Sequence, residues 1–441
     1  MNAKERKEAK ASSEFAVFLF MLSLFLFCFL LFAQEQKDNK PPEDKPAIKK
    51  VGLEAKEKSE IENLIKKYFT AKSEDEKKQS LKDLEPYDHP SKADITSLSK
   101  LCFNLVKNGS KCSGDSPAKL NHPEYPGKYL ITVPDSAKNK PTPLLIGLHG
   151  GGKGTGDFNN IPIMYGKALS SVNWITAFPE VIKKEFTAWN MEREERFVME
   201  LIEEIKRTYK VDTNKIYLSG HSMGGYGTWA IGGHYADVFA AINPNSGGIF
   251  VTNQKDGLQP GVVPNLKNTA IYFYHADGDK QTSVESDRRA ERMLKELKEK
   301  YGPYDYIYKE IKANNHKGPG NIQQILTWMY EKKRNPYPKL VIWEPFRPYK
   351  KYFYWLKCDN VDGWGQRIEA KIEGNKIALK GSTAGVTVFL NEKLVDLTKP
   401  VILEVDGKEK FNGDVPYSII ALVETIDAHK DPEMYFVAKI K

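Results

Sequence analysis

The sequence predicts an α/β fold with a mainly parallel sheet and helices on both of its faces. Between residues 125 and 335, short apolar segments alternate with amphipathic ones, and glycine-rich turns follow two of the apolar segments. Strands that alternate with helices favour parallel pairing in a sheet that is buried on both sides. The predicted strands are residues 129–133, 144–148, 174–179, 216–219, 240–243 and 270–274, and the clearest helices are 194–209, 285–301 and 322–332.

Length and composition fit a globular protein of more than one domain. The chain has 441 residues, of which 40% are hydrophobic and 11% aromatic, enough for a packed core. The formal net charge is +8, but acidic and basic residues are mixed along the chain. No basic stripe with interleaved aromatic residues occurs, so nucleic-acid binding is not predicted.

The N-terminus predicts export. Four basic residues lie within the first 14 positions, and an almost uninterrupted apolar run, 15–32, follows them. This pattern is typical of a signal peptide or an N-terminal membrane anchor, here residues 1–33. Ala33 could end a cleavage site, but the large Leu31 at the −3 position argues against efficient cutting. The protein is predicted to be extracytoplasmic, either secreted or periplasmic, or attached to a membrane through the apolar run.

Composition divides the rest of the chain into four parts. Residues 34–52 form a charged, proline-containing linker, and residues 53–124 have the apolar spacing of amphipathic helices. The strand-and-helix region spans 125–335. From 336 to 441, short β-rich segments separated by turn signals predict a small antiparallel β domain. Its aromatic residues either fill the core of that domain or form a polymer-binding face: Trp343, Tyr352, Tyr354, Trp355 and Trp364.

The chain has four cysteines, which are Cys28, Cys102, Cys112 and Cys358. Cys28 belongs to the apolar N-terminal run. Cys102 and Cys112 are close in sequence, so an exported chain could join them by a disulfide, with two free thiols as the alternative. Cys and His residues show no metal-ligand spacing, and no metal site is predicted.

A segment near the middle of the chain indicates function most directly. An apolar strand leads into Gly220-His221-Ser222-Met223-Gly224, after which a helical pattern begins. Glycine on both sides fits a strand that reverses into a helix, because the turn leaves no room for Cβ atoms. This is the form of a nucleophile elbow, which exposes its serine hydroxyl. The alternative is a glycine-rich turn or phosphate loop in which the serine is incidental.

A second glycine-rich turn lies upstream. The predicted strand 144–148 is followed by His-Gly-Gly-Gly at residues 149–152. Consecutive glycines can turn backbone N–H groups toward an oxyanion, together with the N–H of the residue after the nucleophile. The predicted donors are Gly151 or Gly152, and Met223. An ordinary tight turn is the alternative.

Two carboxylates follow the strand 270–274, those of Asp277 and Asp279. Either would lie at the same edge of the sheet as the elbow and could hold the tautomer of a base. A solvated turn or the N-cap of the next helix is the alternative role for both.

The base should be a histidine that follows these carboxylates. Beyond His275, only His316 and His429 remain. His316 lies in a glycine- and proline-rich loop before a helix and is the predicted base. His429 is predicted to lie on the surface, and His149, which precedes the serine, is predicted to orient its loop.

Residues 125–335 resemble the α/β-hydrolase superfamily, and they look most similar to exported esterases grouped with polyhydroxybutyrate depolymerases and feruloyl esterases. The order serine, acid, histidine matches this superfamily, and the run Gly-Gly-Tyr-Gly-Thr-Trp at 224–229 is typical of the group. The resemblance implies an α/β-hydrolase sheet and favours Asp279, because such hydrolases favour His-x-x-x-Asp spacing. A glycine usually follows that histidine where Ala276 stands here, which leaves Asp277 open.

The predicted function is that of a serine esterase acting on a small-molecule or polymeric ester. Ser222 would attack the carbonyl, His316 would take the proton, and Asp279 would orient the imidazolium, with an acyl-enzyme intermediate and no cofactor. Two alternatives stay open. One is a serine peptidase related to the prolyl oligopeptidase catalytic domain, and the other is an inactive surface-binding protein.

Overall fold

An eight-stranded sheet occupies the middle of the chain in the computed structural model, which describes residues 52–88, 90–109, 111–112, 117–185, 188–249, 260–361, 363 and 365–441. All of these residues belong to one compact unit, Val51–Lys441. The strands of the sheet are β1 (Ala118–Leu120), β2 (Gly127–Thr132), β3 (Thr142–Leu148), β4 (Ile175–Pro179), β5 (Val211–His221), β6 (Ala241–Asn245), β7 (Ala270–Ala276) and β8 (Tyr306–Ile311).

The sheet is mainly parallel, as predicted. Its strand order is β1-β2-β4-β3-β5-β6-β7-β8. The neighbours from β4 to β8 pair in parallel, whereas β2 near one edge pairs antiparallel with both β1 and β4. Every residue of β4, β6 and β7 is buried, which is expected where helices cover both faces. The carboxyl ends of β5, β6 and β7 therefore meet along one rim of the sheet.

The helices of this region are α4 (Asn160–Tyr165), α5 (Lys167–Ser170), α6 (Glu192–Thr208), α7 (Met223–His234), α8 (Val284–Tyr301) and α9 (Ile322–Glu331). Helix α7 is buried along its whole length. The sequence analysis missed two strands, β1 and β8. β1 has only three residues, and β8 is an edge strand whose second half is exposed, so neither presents an apolar run.

Three helices precede the sheet: α1 (Ala55–Thr70), α2 (Glu74–Leu84) and α3 (Lys92–Val106). The predicted apolar face of α1 is confirmed, because Ile61, Ile65 and Tyr68 are buried. Helix α3 begins with a capping box in which Ser91 and Asp94 each accept a hydrogen bond from the other's backbone N–H.

The disulfide considered for Cys102 and Cys112 is not formed. Both thiols are free: Cys102 is fully buried among apolar side chains on α3, whereas the backbone N–H of Cys112 donates to the Thr208 hydroxyl. The predicted leader or anchor and Cys28 lie outside the described residues. Among the helices that the structure describes, none combines the length and the apolar character needed to span a bilayer.

The C-terminal region contains two smaller sheets and one helix. The first sheet has the order β10-β11-β14-β17 and the second β16-β15-β13-β12-β9, with β13 and β15 the one parallel pair within these two sheets. The elements are β9 (Leu340–Trp343), β10 (Tyr352–Phe353), β11 (Leu356–Cys358), β12 (Ile368–Glu373), β13 (Lys376–Gly381), β14 (Val386–Leu390), β15 (Val401–Val405), β16 (Lys408–Gly413), α10 (Ile419–His429) and β17 (Ala438–Ile440). Trp343, Tyr354 and Trp355 are buried in the core, so they do not form a binding face. Trp364 lies outside the described residues.

Buried ion pairs connect the C-terminal region to the helices of the central sheet. Glu195 on α6 is fully buried and accepts from Arg347 at 2.6 Å and from the Tyr349 hydroxyl at 2.8 Å. Lys350 lies 2.7 Å from Asp237, which is also buried. Removing the C-terminal partners would leave Glu195 with His234 as its remaining partner and would take from Asp237 the ammonium group of Lys350.

The prediction that His429 lies on the surface was wrong. Its side chain is only 3% exposed, at the end of α10, and its ring packs edge-on against Phe436 and Tyr352. Burial lowers the pKa of His429 to about 4 despite the nearby Asp237. The surrounding sequence is polar, but α10 places this ring on its buried side.

Candidate active site

Ser222 occupies a strained turn between β5 and α7. Its backbone φ is +58° and ψ is −122°, a conformation that residues with a Cβ atom rarely adopt. Its backbone N–H donates to the carbonyl oxygen of Asn245 at the end of β6, 2.9 Å away. The side chain is half-buried, at the rim where the parallel strands end.

The flanking glycines are required by the close approach of the backbone. A Cβ atom at Gly220 would lie 2.3 Å from the carbonyl oxygen of Gly224, and one at Gly224 would lie 2.0 Å from that of Leu148. Neither neighbour is a flexible side-chain end, so no larger residue fits without moving the turn. This is the local geometry that the Gly-x-Ser-x-Gly pattern predicts.

Backbone donors point out of two turns near Ser222. The N–H groups of Gly225 and Tyr226 donate to the Ser222 carbonyl, which leaves those of Met223 and Gly224 without a partner among the described residues. In the upstream turn, the N–H of Gly152 is directed to the carbonyl oxygen of Thr155 at 3.4 Å.

The upstream turn approaches the serine closely. A Cβ atom at Gly150 would lie 3.2 Å from the Cβ of Ser222. The next residue, Gly151, has a φ of +149°. Of the two glycines considered as donors, Gly151 is the one whose N–H the described residues leave unpaired.

His149 holds this turn with both of its ring nitrogens. Nδ1 lies 2.8 Å from the carbonyl oxygen of Gly150, and Nε2 accepts from the backbone N–H of Val181 at 3.1 Å. These contacts require the proton on Nδ1, and burial lowers the pKa of His149. The side chain is 1% exposed. Its geometry is that of a loop-orienting residue.

The structure brings His316 to Asp279 and not to Asp277. Nδ1 of His316 lies 2.6 Å from Oδ2 of Asp279, whose other oxygen accepts from the backbone N–H groups of Gln281 and Thr282. The Asp277 carboxylate is turned to the backbone N–H of Ala313, 3.0 Å away, and the residue is exposed. Burial alone would raise the pKa of Asp279, but these hydrogen bonds outweigh it and lower the pKa.

The second ring nitrogen of His316 has no hydrogen-bond partner. Nε2 is buried, and the ring lies against that of His221, the residue before Ser222, with centroids 4.7 Å apart. Burial and the neighbouring imidazole lower the pKa of His221 to about 4, so this ring is neutral near pH 7. His316 therefore presents an unbonded nitrogen in the immediate surroundings of the nucleophile elbow.

Sequence reasoning did not find the residues behind Asp279. His275 is fully buried between Asp279 and Asp287, and Trp229 donates to Asp287. Asp287 lies on the strongly charged helix α8, where a carboxylate suggests a solvated face. Within the described ranges, no group of three or more His, Cys, Asp or Glu side chains could hold a metal ion.

Comparison with known proteins gives partial matches. No protein-family model matches the chain. A curated relative, a bifunctional acetylxylan esterase/xylanase from Neocallimastix patriciarum, is 28% identical over 108 residues. That stretch is 24% of this chain and 16% of the relative, so the match covers only a small part of the relative's length.

Similar solved structures include esterases. A thermostable esterase is 22% identical with a TM-score of 0.39, over 52% of this chain and 64% of that one. A CE1 ferulic acid esterase from Anaeromyces mucronatus is 15% identical with a TM-score of 0.37, over 51% and 92%. An S-formylglutathione hydrolase from Staphylococcus aureus is 16% identical with a TM-score of 0.38, over 50% and 98%. With TM-scores below 0.5, the role of this chain has to be judged from its own residues.

Proposed function

We propose that this chain is a serine hydrolase that cleaves carboxylic esters through an acyl-enzyme, with Ser222 as nucleophile, His316 as general base and Asp279 as the acid of the triad. The observation that carries the proposal is the 2.6 Å contact between His316 Nδ1 and Asp279 Oδ2. It orients an imidazole whose Nε2 is buried and unbonded beside the elbow.

The proposed reaction has two halves. Nε2 of His316 takes the Ser222 proton as Oγ bonds to the ester carbonyl carbon, and it returns that proton to the departing alcohol. Water then attacks the acyl-enzyme with His316 again as base, which releases the acid and regenerates Ser222. The Asp279 carboxylate fixes the proton on Nδ1 and stabilises the imidazolium.

The oxyanion would be stabilised by the backbone N–H groups of Met223 and Gly151. Both are free to donate among the described residues, and both lie in turns where the close approach of other backbone atoms requires glycine. A donor of this kind contributes about 3–4 kcal/mol to transition-state stabilisation. Gly152 is the weaker candidate because its N–H is directed to Thr155.

The candidate substrates come from the similar proteins and not from the geometry of the site. The curated relative's name includes acetylxylan esterase, and one solved structure is a ferulic acid esterase. Acetyl esters of polysaccharides and feruloyl esters are therefore the natural first substrates. The apolar run at 15–32 supports the further proposal that the enzyme acts outside the cytoplasm, free or attached to a membrane.

The test is hydrolysis of short p-nitrophenyl esters together with labelling by a fluorophosphonate probe. Ser222→Ala is expected to abolish both. Ser246→Ala is the matched control, because Ser246 directly follows the neighbouring strand β6, also has a positive φ, and has a buried, unbonded hydroxyl. Equal turnover by the Ser222 variant and the wild type would refute the proposal.

Adding a peptide amide substrate to this experiment separates the alternatives. A chain that turns over esters but not peptide amides supports the esterase. Preference for a peptide bond would indicate the peptidase, and wild-type protein that the probe leaves unlabelled would indicate a binding protein without turnover.

A further inference from the structure

A second imidazole–carboxylate pair lies directly behind Asp279. Nδ1 of His275 is 2.8 Å from Oδ2 of Asp287, and both side chains are fully buried. The other carboxylate oxygen, Oδ1, accepts from the indole N–H of Trp229 at 2.9 Å. Each oxygen of Asp287 thus has an N–H donor. Burial raises the pKa of this carboxyl group, and the hydrogen bonds from His275 and Trp229, with the charge of His275, oppose that rise and favour the ionised form.

The opposite nitrogen of His275 faces the triad acid. Nε2 lies 3.5 Å from Oδ2 of Asp279 and 3.3 Å from the carbonyl oxygen of Thr282. The Thr282 hydroxyl is 3.2 Å from the same nitrogen and 2.9 Å from Asp279 Oδ2. His275 is therefore enclosed by carboxylates on two sides and by a turn that also binds Asp279.

The hydrogen-bond requirements of these contacts fix two protons on His275. Nδ1 must donate to the Asp287 carboxylate. Nε2 faces a carbonyl, a carboxylate and the Thr282 hydroxyl. The single proton of that hydroxyl has closer acceptors in Asp279 Oδ2 at 2.9 Å and the Ser246 carbonyl oxygen at 3.0 Å, so a lone pair on Nε2 would oppose negative oxygens. A neutral imidazole has only one N–H, whereas the imidazolium satisfies both sides.

The electrostatic balance agrees with this geometry. Burial alone would lower the pKa of His275, but the hydrogen bond and charge of Asp287, with contributions from Thr282 and Asp279, outweigh burial and raise the pKa. A buried imidazolium between two carboxylates is a paired charge, which is the condition under which a charge is retained in a protein interior.

We infer that His275 is a positively charged positioning residue for Asp279, so that Asp287, His275, Asp279 and His316 form one row of alternating charge. This inference rests on the proposed function for the role of His316. It assigns two effects to His275. The imidazolium orients the Asp279 carboxylate, and its positive charge partly cancels the negative field of that carboxylate at His316.

Other titratable groups face His275 and must be considered. Glu310 lies opposite it on β8, but Arg288 holds that carboxylate in a fork at 2.6 and 3.0 Å. The remaining groups that influence His275 or its two carboxylates are His221, Tyr226, Tyr308 and His316. Thr282 differs from these groups, because its hydroxyl lies within hydrogen-bond distance of both His275 Nε2 and Asp279 Oδ2.

The inference predicts the direction of a pH shift. His316 must be neutral to act as base, so its protonation sets the acidic limb of kcat/KM. Removing the positive charge of His275 leaves the Asp279 field less compensated, which favours protonated His316. The acidic limb should therefore move to higher pH.

Two variants test this in the full-length protein with a short p-nitrophenyl ester. His275→Gln removes the charge but keeps an amide donor, and Asp287→Asn removes the partner that keeps His275 protonated. Both are expected to raise the midpoint of the acidic limb. His234→Gln is the matched control, because His234 also forms a buried pair, with Glu195 at 3.0 Å, but is not in contact with Asp279. An acidic limb unchanged in both variants would overturn the inference.

A second measurement does not depend on turnover. The ring ¹⁵N shifts of wild-type His275 near pH 7 should show protons on both nitrogens, and a neutral ring would overturn the inference even if the variants fail to fold. Wild-type protein with no hydrolase activity but a charged His275 would count against the proposed function and not against this charge assignment.

Discussion

His316 Nδ1 and Asp279 Oδ2 lie 2.6 Å apart, while the carboxylate of Asp277, two residues earlier, is bonded to the backbone N–H of Ala313. The turn at the end of β7 thus separates two acidic residues that the sequence could not distinguish. One is directed inward to the imidazole, and the other braces the loop that carries it.

This separation predicts opposite results for two matched variants. Asp279→Asn should lower kcat by about 10³–10⁴-fold, because an amide no longer holds the correct tautomer of His316. Asp277→Asn should keep kcat within a few-fold of wild type. The kcat values for one p-nitrophenyl ester decide the matter, and the reverse pattern would assign Asp277 as the acid.

The packing of Gly224 predicts that the elbow tolerates no methyl group. In Gly224→Ala the added Cβ would be 2.0 Å from the Leu148 carbonyl oxygen, so the turn must move or the fold must strain, at a cost of about 1–3 kcal/mol or more. Turnover and the free energy of unfolding should both fall. Gly320→Ala is the control, because its Cβ would meet no atom within 4 Å; equal effects in the two variants would contradict the packing argument.

The buried charge of Glu195 predicts a specific loss of stability in acid. Burial alone would raise the pKa of Glu195, but His234 and Arg347 lower it to about 2. Its stabilising contribution is therefore complete above the unfolded value of about 4.3 and is lost as the pH falls toward 2, amounting to about 3 kcal/mol. Urea unfolding of Glu195→Gln should show a correspondingly weaker dependence on pH in this window.

The adjacent Glu194 provides the control for that experiment. Its Oε2 is buried without a partner, and burial raises its pKa. The ionised form therefore destabilises the fold, and Glu194→Gln should increase the free energy of unfolding at pH 7, with the gain disappearing in acid. If the free energies of unfolding of the two variants depended on pH in the same way, His234 and Arg347 would not stabilise the ionised form of Glu195.

The contact between Arg347 and Glu195 predicts that the C-terminal region is needed for folding. Arg347→Met leaves a buried carboxylate without its guanidinium partner and should cost about 3–5 kcal/mol of unfolding free energy. Arg288→Met is the control, since Arg288 also pairs with carboxylates, those of Glu285 and Glu310, but it lies at the surface and its loss should have little effect. Thermal and urea unfolding compare the two, and equal losses would contradict the role of burial.

The sequence predicted the parts of the site that depend on local backbone geometry. The elbow and the glycine turn near Gly151 are recognisable because close backbone contacts allow only small residues there, and strand ends place them on one rim. Chain order predicted His316 as the base. The choice of Asp279 over Asp277 as its partner came from the resemblance to the α/β-hydrolase superfamily. Its geometry depends on the turn at Thr282, which no sequence spacing reveals.

The rest depended on contacts between distant residues. Asp287 lies on a helix whose charged sequence suggests solvent, yet it faces inward to Trp229 and His275. The helix Ile419–His429 was missed, and His429 was wrongly expected at the surface. In each case, the side chain is buried because it lies on the side of its helix that meets the core. That side cannot be recognised from the sequence when the neighbouring residues are polar.

The position of β8 at the margin of the sheet has a consequence for how a hydrolase with the proposed triad could diversify. Ser222 and Asp279 follow interior strands, whereas His316 is supplied by the connection that leaves the outermost strand. Insertions in that connection would disturb no interior strand. If the proposed function holds, new substrate preferences can arise at this margin while the proposed chemistry of Ser222 is retained.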